Sequence, residues 1–122
     1  MFKWLSKSDD NPAQAPPPFD FDAVQAAEIA VLFKHSQTCP VSWAARKEVQ
    51  RFSVSHPSVP VYTVTVQQQR QISNQIADWT GIRHESPQII VLRRGVVAYS
   101  ASHEDVTIEN LSDVIQPFPL ST

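Results

Sequence analysis

The sequence predicts an α/β fold, a mixed central β-sheet flanked by helices on both faces. Three observations carry this. Apolar runs alternate with helical periodicities in the order helix, strand, helix, strand, helix, hairpin, helix, and such alternation asks for parallel strands joined by crossovers. Arg93-Arg94-Gly95 between two apolar runs is a hairpin signal and adds antiparallel strands. The length of 122 residues, with 42% hydrophobic and 18% charged residues, suits one domain with a real core.

Residues 1–19 read as a lead-in and 20–122 as the folded domain. Phe2, Trp4 and Leu5 suggest a short edge strand or a hydrophobic clip. From Ser6 to Pro18 the chain is polar and proline-rich, which favours extended backbone and a plain linker. Asp22 is placed as the cap of a short helix running to about Glu28, with Val24 and Ala27 inward. Ile29 to Phe33 is a continuous apolar run, as in a strand buried on both faces.

In the next helix Val41, Ala45, Val49 and Phe52 recur at helical spacing, and Pro57 lies beyond its end. Val59 to Val66 is rich in β-branched residues and reads as a strand, with Pro60 near its start. Ile72, Ile76 and Trp79 mark a helix over 70–80, stopped by Gly81. Gln88 to Leu92 and Val96 to Ser100 form the hairpin strands. Thr107 caps a last helix bearing Ile108, Leu111 and Ile115, and Pro117 and Pro119 end it. There is no internal repeat.

Net charge is −2, so no general pull toward nucleic acid is expected. A single cysteine rules out an internal disulfide and suits a reducing compartment. No apolar run is long enough to cross a bilayer. Met1 to Ser8 lacks the apolar stretch of a signal peptide, so a cytoplasmic protein without membrane contact is expected. Four histidines and one cysteine show no zinc spacing, and no metal site within one chain is expected.

The chemistry centres on Phe33 to Ser42, F-K-H-S-Q-T-C-P-V-S. The only cysteine, Cys39, falls where a strand and short loop give way to a helix. A lone cysteine is ordinarily a small buried hydrophobe. Here it follows the polar residues Ser36, Gln37 and Thr38 instead. Helix starts are electropositive, because their first N–H groups lack partners and their dipoles add. A thiol there loses its proton more easily, and the thiolate is the nucleophile. Pro40 suits the first helical position, where its missing N–H costs nothing. Cys39 is therefore the candidate catalytic residue, with Thr38, Pro40 and Ser42 as candidate supports of the thiolate. Ser42 has two open readings, a hydrogen-bond donor to the sulfur or an ordinary first-turn residue.

Farther on, Ser86-Pro87 opens an apolar strand, and X-Pro bonds are the usual place for a cis peptide. The segments F-K-H-S-x-T-C-P-V-S, G-I-R-H-E-S-P-Q (Gly81 to Gln88) and A-S-H (Ala101 to His103) resemble the monothiol bacilliredoxins, small thioredoxin-like proteins. The resemblance covers roughly Asp20 to Val114. It implies the thioredoxin-like fold and a cis Ser86-Pro87 bond facing the thiol. It also implies a redox enzyme in which Cys39 removes bacillithiol, a low-molecular-weight thiol, from S-thiolated client proteins. Another small thiol would take its place in a host lacking bacillithiol. No further cofactor is implied. Ser42 stands where dithiol relatives carry a second cysteine, so resolution of a mixed disulfide on Cys39 needs a thiol from another molecule.

Ser86 and Pro87 are candidate substrate-binding residues, able to pair with an extended client as an added strand. Glu85 and His35 are candidates for the same groove, with His84 beside them. For His35 a hydrogen-bonded structural role competes. Lys34 reads either as a charge favouring the thiolate or as a solvated strand end. His103 is expected to cap or pack, and Trp4, Trp43 and Trp79 to pack. A monomer is expected. Two rivals remain, a monothiol glutaredoxin-like module bridging an iron–sulfur cluster and a redox-inert adaptor. The first would replace C-P-V-S by C-G-F-S and add a Gly-Gly segment that is missing here.

Overall fold

The computed structural model describes residues 19–115. The lead-in strand, the proline-rich linker and the stop at Pro117 and Pro119 lie outside the described residues. The elements run α1 (Phe21–Ala26), β1 (Ala30–His35), α2 (Pro40–Ser55), β2 (Val61–Thr65), α3 (Arg70–Thr80), β3 (Gln88–Arg93), β4 (Val96–Ser102) and α4 (Ile108–Ile115). A turn of 3₁₀-helix, His103–Asp105, sits between β4 and α4. The sheet has the order β2-β1-β3-β4. β1 runs parallel to β2 and antiparallel to β3, and β4 is antiparallel to β3. This is the mixed α/β architecture expected from the order of elements.

The central strands explain the layering. Alternate side chains of a strand face opposite sides of a sheet. Val31 and Phe33 of β1, with Ile89 and Val91 of β3, meet Ala45, Val49 and Phe52 of α2 and Leu111 of α4. Ala30 and Leu32, with Ile90 and Leu92, meet Val24 of α1 and Ile76 of α3. Both faces are covered, which is why β1 and β3 read as continuous apolar runs.

Several boundaries differ from the sequence reading. Asp20, not Asp22, caps α1: its Oδ1 accepts from the Ala23 N–H at 3.1 Å. Asp22 lies in the first turn, where a negative charge also suits the helix dipole. β1 continues two residues past the apolar run, because Lys34 and His35 pair with Val64 and Thr65 of β2. β2 starts at Val61, since the Val59 N–H turns back to the His56 carbonyl. β3 and β4 each run slightly longer than expected, to Arg93 and Ser102. Their tight turn holds Arg94 at φ 50° and Gly95 at φ 82°, the paired positive values that suit a two-residue hairpin. Thr107 does cap α4, its Oγ1 accepting from the Asn110 N–H at 3.1 Å. Among the described residues no helix is long and apolar enough to cross a membrane.

Candidate active site

The parallel pairing of β1 and β2 puts the loops that follow them side by side. His35 aligns with Thr65, so residues 36–39 and 66–69 leave the sheet at one edge. Gln67 joins them. Its Oε1 accepts from the Gln37 N–H at 3.0 Å, and its Nε2 donates to Ser36 Oγ at 2.9 Å and to Thr38 Oγ1 at 3.4 Å. Thr38 thus turns its hydroxyl toward Ser36 and Gln67. Sequence reasoning missed Gln67. The only signal was its place at the end of a strand parallel to the thiol-bearing one.

Cys39 is the N-cap residue of α2, with extended backbone (φ −107°, ψ 119°) and Pro40 in the first turn. Its carbonyl accepts from the N–H groups of Ser42 (3.0 Å) and Trp43 (3.3 Å). The side chain is partly exposed. The hydrogen bond from the Ser42 backbone N–H draws the thiol pKa below its ordinary value. Partial burial opposes this, and the Val41 N–H and Ser42 hydroxyl reinforce it.

Of the two open readings of Ser42, the structure shows the residue of the first helical turn. It is fully buried on the core face of α2, with Ala45, Val49 and Phe52. Its Oγ accepts from the Ser36 N–H at 3.2 Å, and its hydroxyl is the last of the influences that lower the thiol pKa. The helix therefore presents a small buried polar side chain one turn beyond the thiol. Val41, expected on the core face, is only partly buried.

The second strand edge meets the first through register. Lys34 lies opposite Gln88, so Pro87 emerges beside His35 at the thiol end of the sheet. The Ser86-Pro87 peptide is cis. Pro87 is buried, and Ser86 and Glu85 are partly exposed. The Pro87 carbonyl accepts from the His103 N–H at 2.9 Å. His103, held at φ 58°, places Nε2 at 3.2 Å from Glu85 Oε1. Its expected capping or packing role is thus replaced by a bridge to the loop that carries Ser86 and Pro87. The A-S-H segment was its only sequence signal. A depression of about 250 Å³ separates α2 from the turn that follows β4, lined by Val41, Ala44, Glu48, His103 and Glu104 among others. Two larger depressions, about 470 and 520 Å³, are lined by residues other than Cys39 and its loop.

Four expectations need correction. His35 is neither substrate-facing nor hydrogen-bonded. It is 4% exposed, both ring nitrogens lack hydrogen-bond partners, and it packs against Phe33 and Trp43 at ring-centroid distances of 5.8 and 4.7 Å. Its position on the α2 face of β1 puts it beneath the helix. Burial, then the Arg46 charge, pulls its pKa down, outweighing the nearby Ser42 backbone. Lys34 is no solvated strand end: it is fully buried on the opposite face, with Nζ 3.2 Å from His84 Nδ1. Burial lowers its pKa. His84 turns that nitrogen inward, where Ser73 Oγ is also 3.2 Å away, and so does not simply line the groove. Finally, Trp43 is 44% exposed, unlike the packing role expected of it. Trp79 does pack on the α1–α3 side, and Trp4 lies outside the described residues. Among the described residues no group of three or more His, Cys, Asp or Glu could hold a metal ion.

Comparison with known proteins agrees with this arrangement. A family model described as monothiol bacilliredoxin BrxC matches residues 20–111. A solved structure described as a candidate oxidoreductase with a thioredoxin fold is 30% identical, with a TM-score of 0.72, covering 77% of this chain and 84% of that one. A thioredoxin from Fasciola hepatica (14% identity, TM-score 0.63, 77% of this chain and 86% of that one) shares the fold. So does the protein Trxlp from Edwardsiella tarda (20% identity, TM-score 0.63, 82% and 96%).

Proposed function

Because the chain belongs to the monothiol bacilliredoxin family, we propose that it removes a low-molecular-weight thiol, bacillithiol or a similar one, from protein mixed disulfides. The family match and the thioredoxin fold support a monothiol redox function. The observation that carries the finer reading is the pairing of Cys39 with Ser42. One thiol has a lowered pKa, and one turn away a buried hydroxyl occupies the place of a second thiol.

The Cys39 thiolate attacks the small-thiol sulfur of the client's mixed disulfide. The old S–S bond breaks, the client leaves as a thiolate and takes a proton from water, and the small thiol stays on Cys39. A second small thiol, as thiolate, then attacks the small-thiol sulfur bonded to Cys39, so that a small-thiol disulfide leaves and the Cys39 thiolate is freed. The reading includes S-thiolated proteins as clients, the small thiol as co-substrate and no other cofactor. Ser86, Pro87 and Glu85 form the client side of the groove. It also includes a cytoplasmic monomer that engages neither nucleic acid nor membrane.

The test is intact mass spectrometry after a stoichiometric dose of capped client, with no reductant. The native protein is expected to stop as a stable mixed disulfide until an external thiol arrives, and Cys39→Ser to be inactive. Ser42→Cys is expected to close an internal disulfide and release the captured thiol unaided, since positions three apart on a helix are neighbours. Activity in Cys39→Ser, or unaided return of the native protein to free thiol, overturns the reading. A client never uncapped marks an inert adaptor, and a coloured iron-bearing protein marks the cluster-binding rival.

A further inference from the structure

The start of α2 carries a charged, aromatic strip that the exchange chemistry leaves unexplained. Cys39, Trp43 and Arg46 stand at i, i+4 and i+7 along the start of α2. Helical side chains at that spacing share one face and lean toward the N-terminus. Trp43 is fixed in orientation: its Nε1 donates to the Gln37 carbonyl at 2.9 Å, and His35 meets it edge-on from below. The Arg46 guanidinium lies over the indole, 5.1 Å from the ring centroid. Arg46 is exposed and forms no ion pair among the described residues, whereas Arg51 pairs with Glu48 and Arg94 with Glu28. Lys47 points about 100° farther round the helix.

Glu48 and Glu104 line the depression beside α2 with His103, but Glu48 pairs with Arg51 and Glu85 with His103. A group disulfide-bonded to Cys39 therefore shares the face of α2 on which the Arg46 guanidinium, unpaired among the described residues, lies over Trp43. Arg46 lies about 10 Å along the helix axis from Cys39, and its long side chain lies over Trp43, which stands between them in the sequence. A guanidinium resting over an aromatic ring keeps its N–H fork available for a carboxylate or phosphate.

We propose that Arg46, positioned by Trp43, is a specificity-determining residue that selects anionic low-molecular-weight thiols as the group carried on Cys39. This rests on the thiol–disulfide exchange reading above and names the substrate class of that site. In the step concerned, the Cys39 thiolate attacks one sulfur of a small disulfide. A new S–S bond forms, the old one breaks, and the leaving thiolate takes a proton from water. The disulfide is the oxidant.

The test uses three small disulfides as probes: glutathione disulfide, which bears carboxylates, the neutral 2-hydroxyethyl disulfide, and cationic cystamine. Rates of mixed-disulfide formation are read by acid-quenched intact mass for the native protein, Arg46→Gln and Arg46→Glu. Each rate is divided by the same protein's rate with the neutral probe, which cancels any change in thiol pKa. In Arg46→Gln the relative rate with glutathione disulfide is expected to fall about 2- to 5-fold, the range of an exposed ion pair. The relative rate with cystamine should rise. Arg46→Glu should move both further. The effect should fade toward 1 M salt, where the screening length is about 3 Å. Unchanged ratios, with all three probes reacting, overturn the Arg46 assignment and leave the exchange chemistry standing. A native protein that reacts with none of them overturns the exchange reading, and this inference with it.

Discussion

The sulfur of Cys39 is controlled by backbone rather than by a charged side chain. The first influence on its pKa is the Ser42 N–H, then the Val41 N–H against partial burial, and last the Ser42 hydroxyl. This order separates two roles that Ser42 combines. In Ser42→Ala the N–H remains, so the midpoint of alkylation rate against pH should stay below the free-thiol value of about 8.5. Stability should fall by about 1–3 kcal/mol, because the buried Ser36 N–H loses its acceptor. Iodoacetamide kinetics and urea unfolding on one sample measure both. A midpoint at or above 8.5 would show that the hydroxyl, not the helix start, activates the thiol. The thiol itself was legible in the sequence, because a helix start can be recognised from Cys-Pro and the amphipathic run behind it. The burial of Ser42 was not, because one serine on a helix looks alike on either face. Gln67 was illegible for a related reason: its three hydrogen bonds cross to residues about thirty positions away.

Among the elements, β1 carries the most unusual arrangement. Its last two residues are Lys34 and His35, one buried on each face of the sheet. Hydropathy ended the strand at Phe33, since no hydrophobic pattern foretells a buried lysine. Strand pairing with β2 and β3 overrode that signal. The Lys34 amine meets His84 of the loop before Pro87, and Ser73 of α3 meets the same ring nitrogen. That nitrogen can accept from Lys34 only while the imidazole is neutral. Burial first, then Lys34 and Arg70, lowers the His84 pKa, and Glu85 opposes them. The folded state therefore binds fewer protons than the unfolded one below about pH 6.5. The stabilising contribution is complete above that pH and is lost as pH falls toward the lowered value. His84→Gln keeps an acceptor and does not titrate, so its loss of stability between pH 7 and pH 5 should be smaller than the native protein's. Some loss should remain, because buried His35 is shifted in the same direction. Chemical denaturation across that range measures the slopes, and identical slopes would refute a titrating role for His84.

At the scale of the whole molecule, the sheet separates two cores, and the reactive end rests on only one of them. α2 is anchored by Ala45, Val49 and Phe52 against Phe33 and Val91, while α1 and α3 close the other face through Val24 and Ile76. The architecture was legible because β1 and β3 must be apolar on both faces and the helices on only one. Strand ends were less so, since pairing there is decided by distant partners. The division has a consequence for the thiol. The largest influence on its pKa is the Ser42 N–H, three residues away, so the thiol should need the first turn of α2 to be intact but not any single core contact. Phe52→Ala should cost about 3–5 kcal/mol and Ile76→Ala about 2–5 kcal/mol, through lost transfer energy and the cavities left behind. Both variants should nevertheless keep the native alkylation midpoint wherever they remain folded, even though Phe52 lies on the thiol's own helix. The measurement pairs urea unfolding with alkylation profiles at a urea-free, low temperature where each variant is native by circular dichroism. A midpoint that moves in Phe52→Ala but not in Ile76→Ala would show that the far end of α2 holds its first turn in place. The sulfur would then be tuned by packing along the helix and not by the local backbone alone.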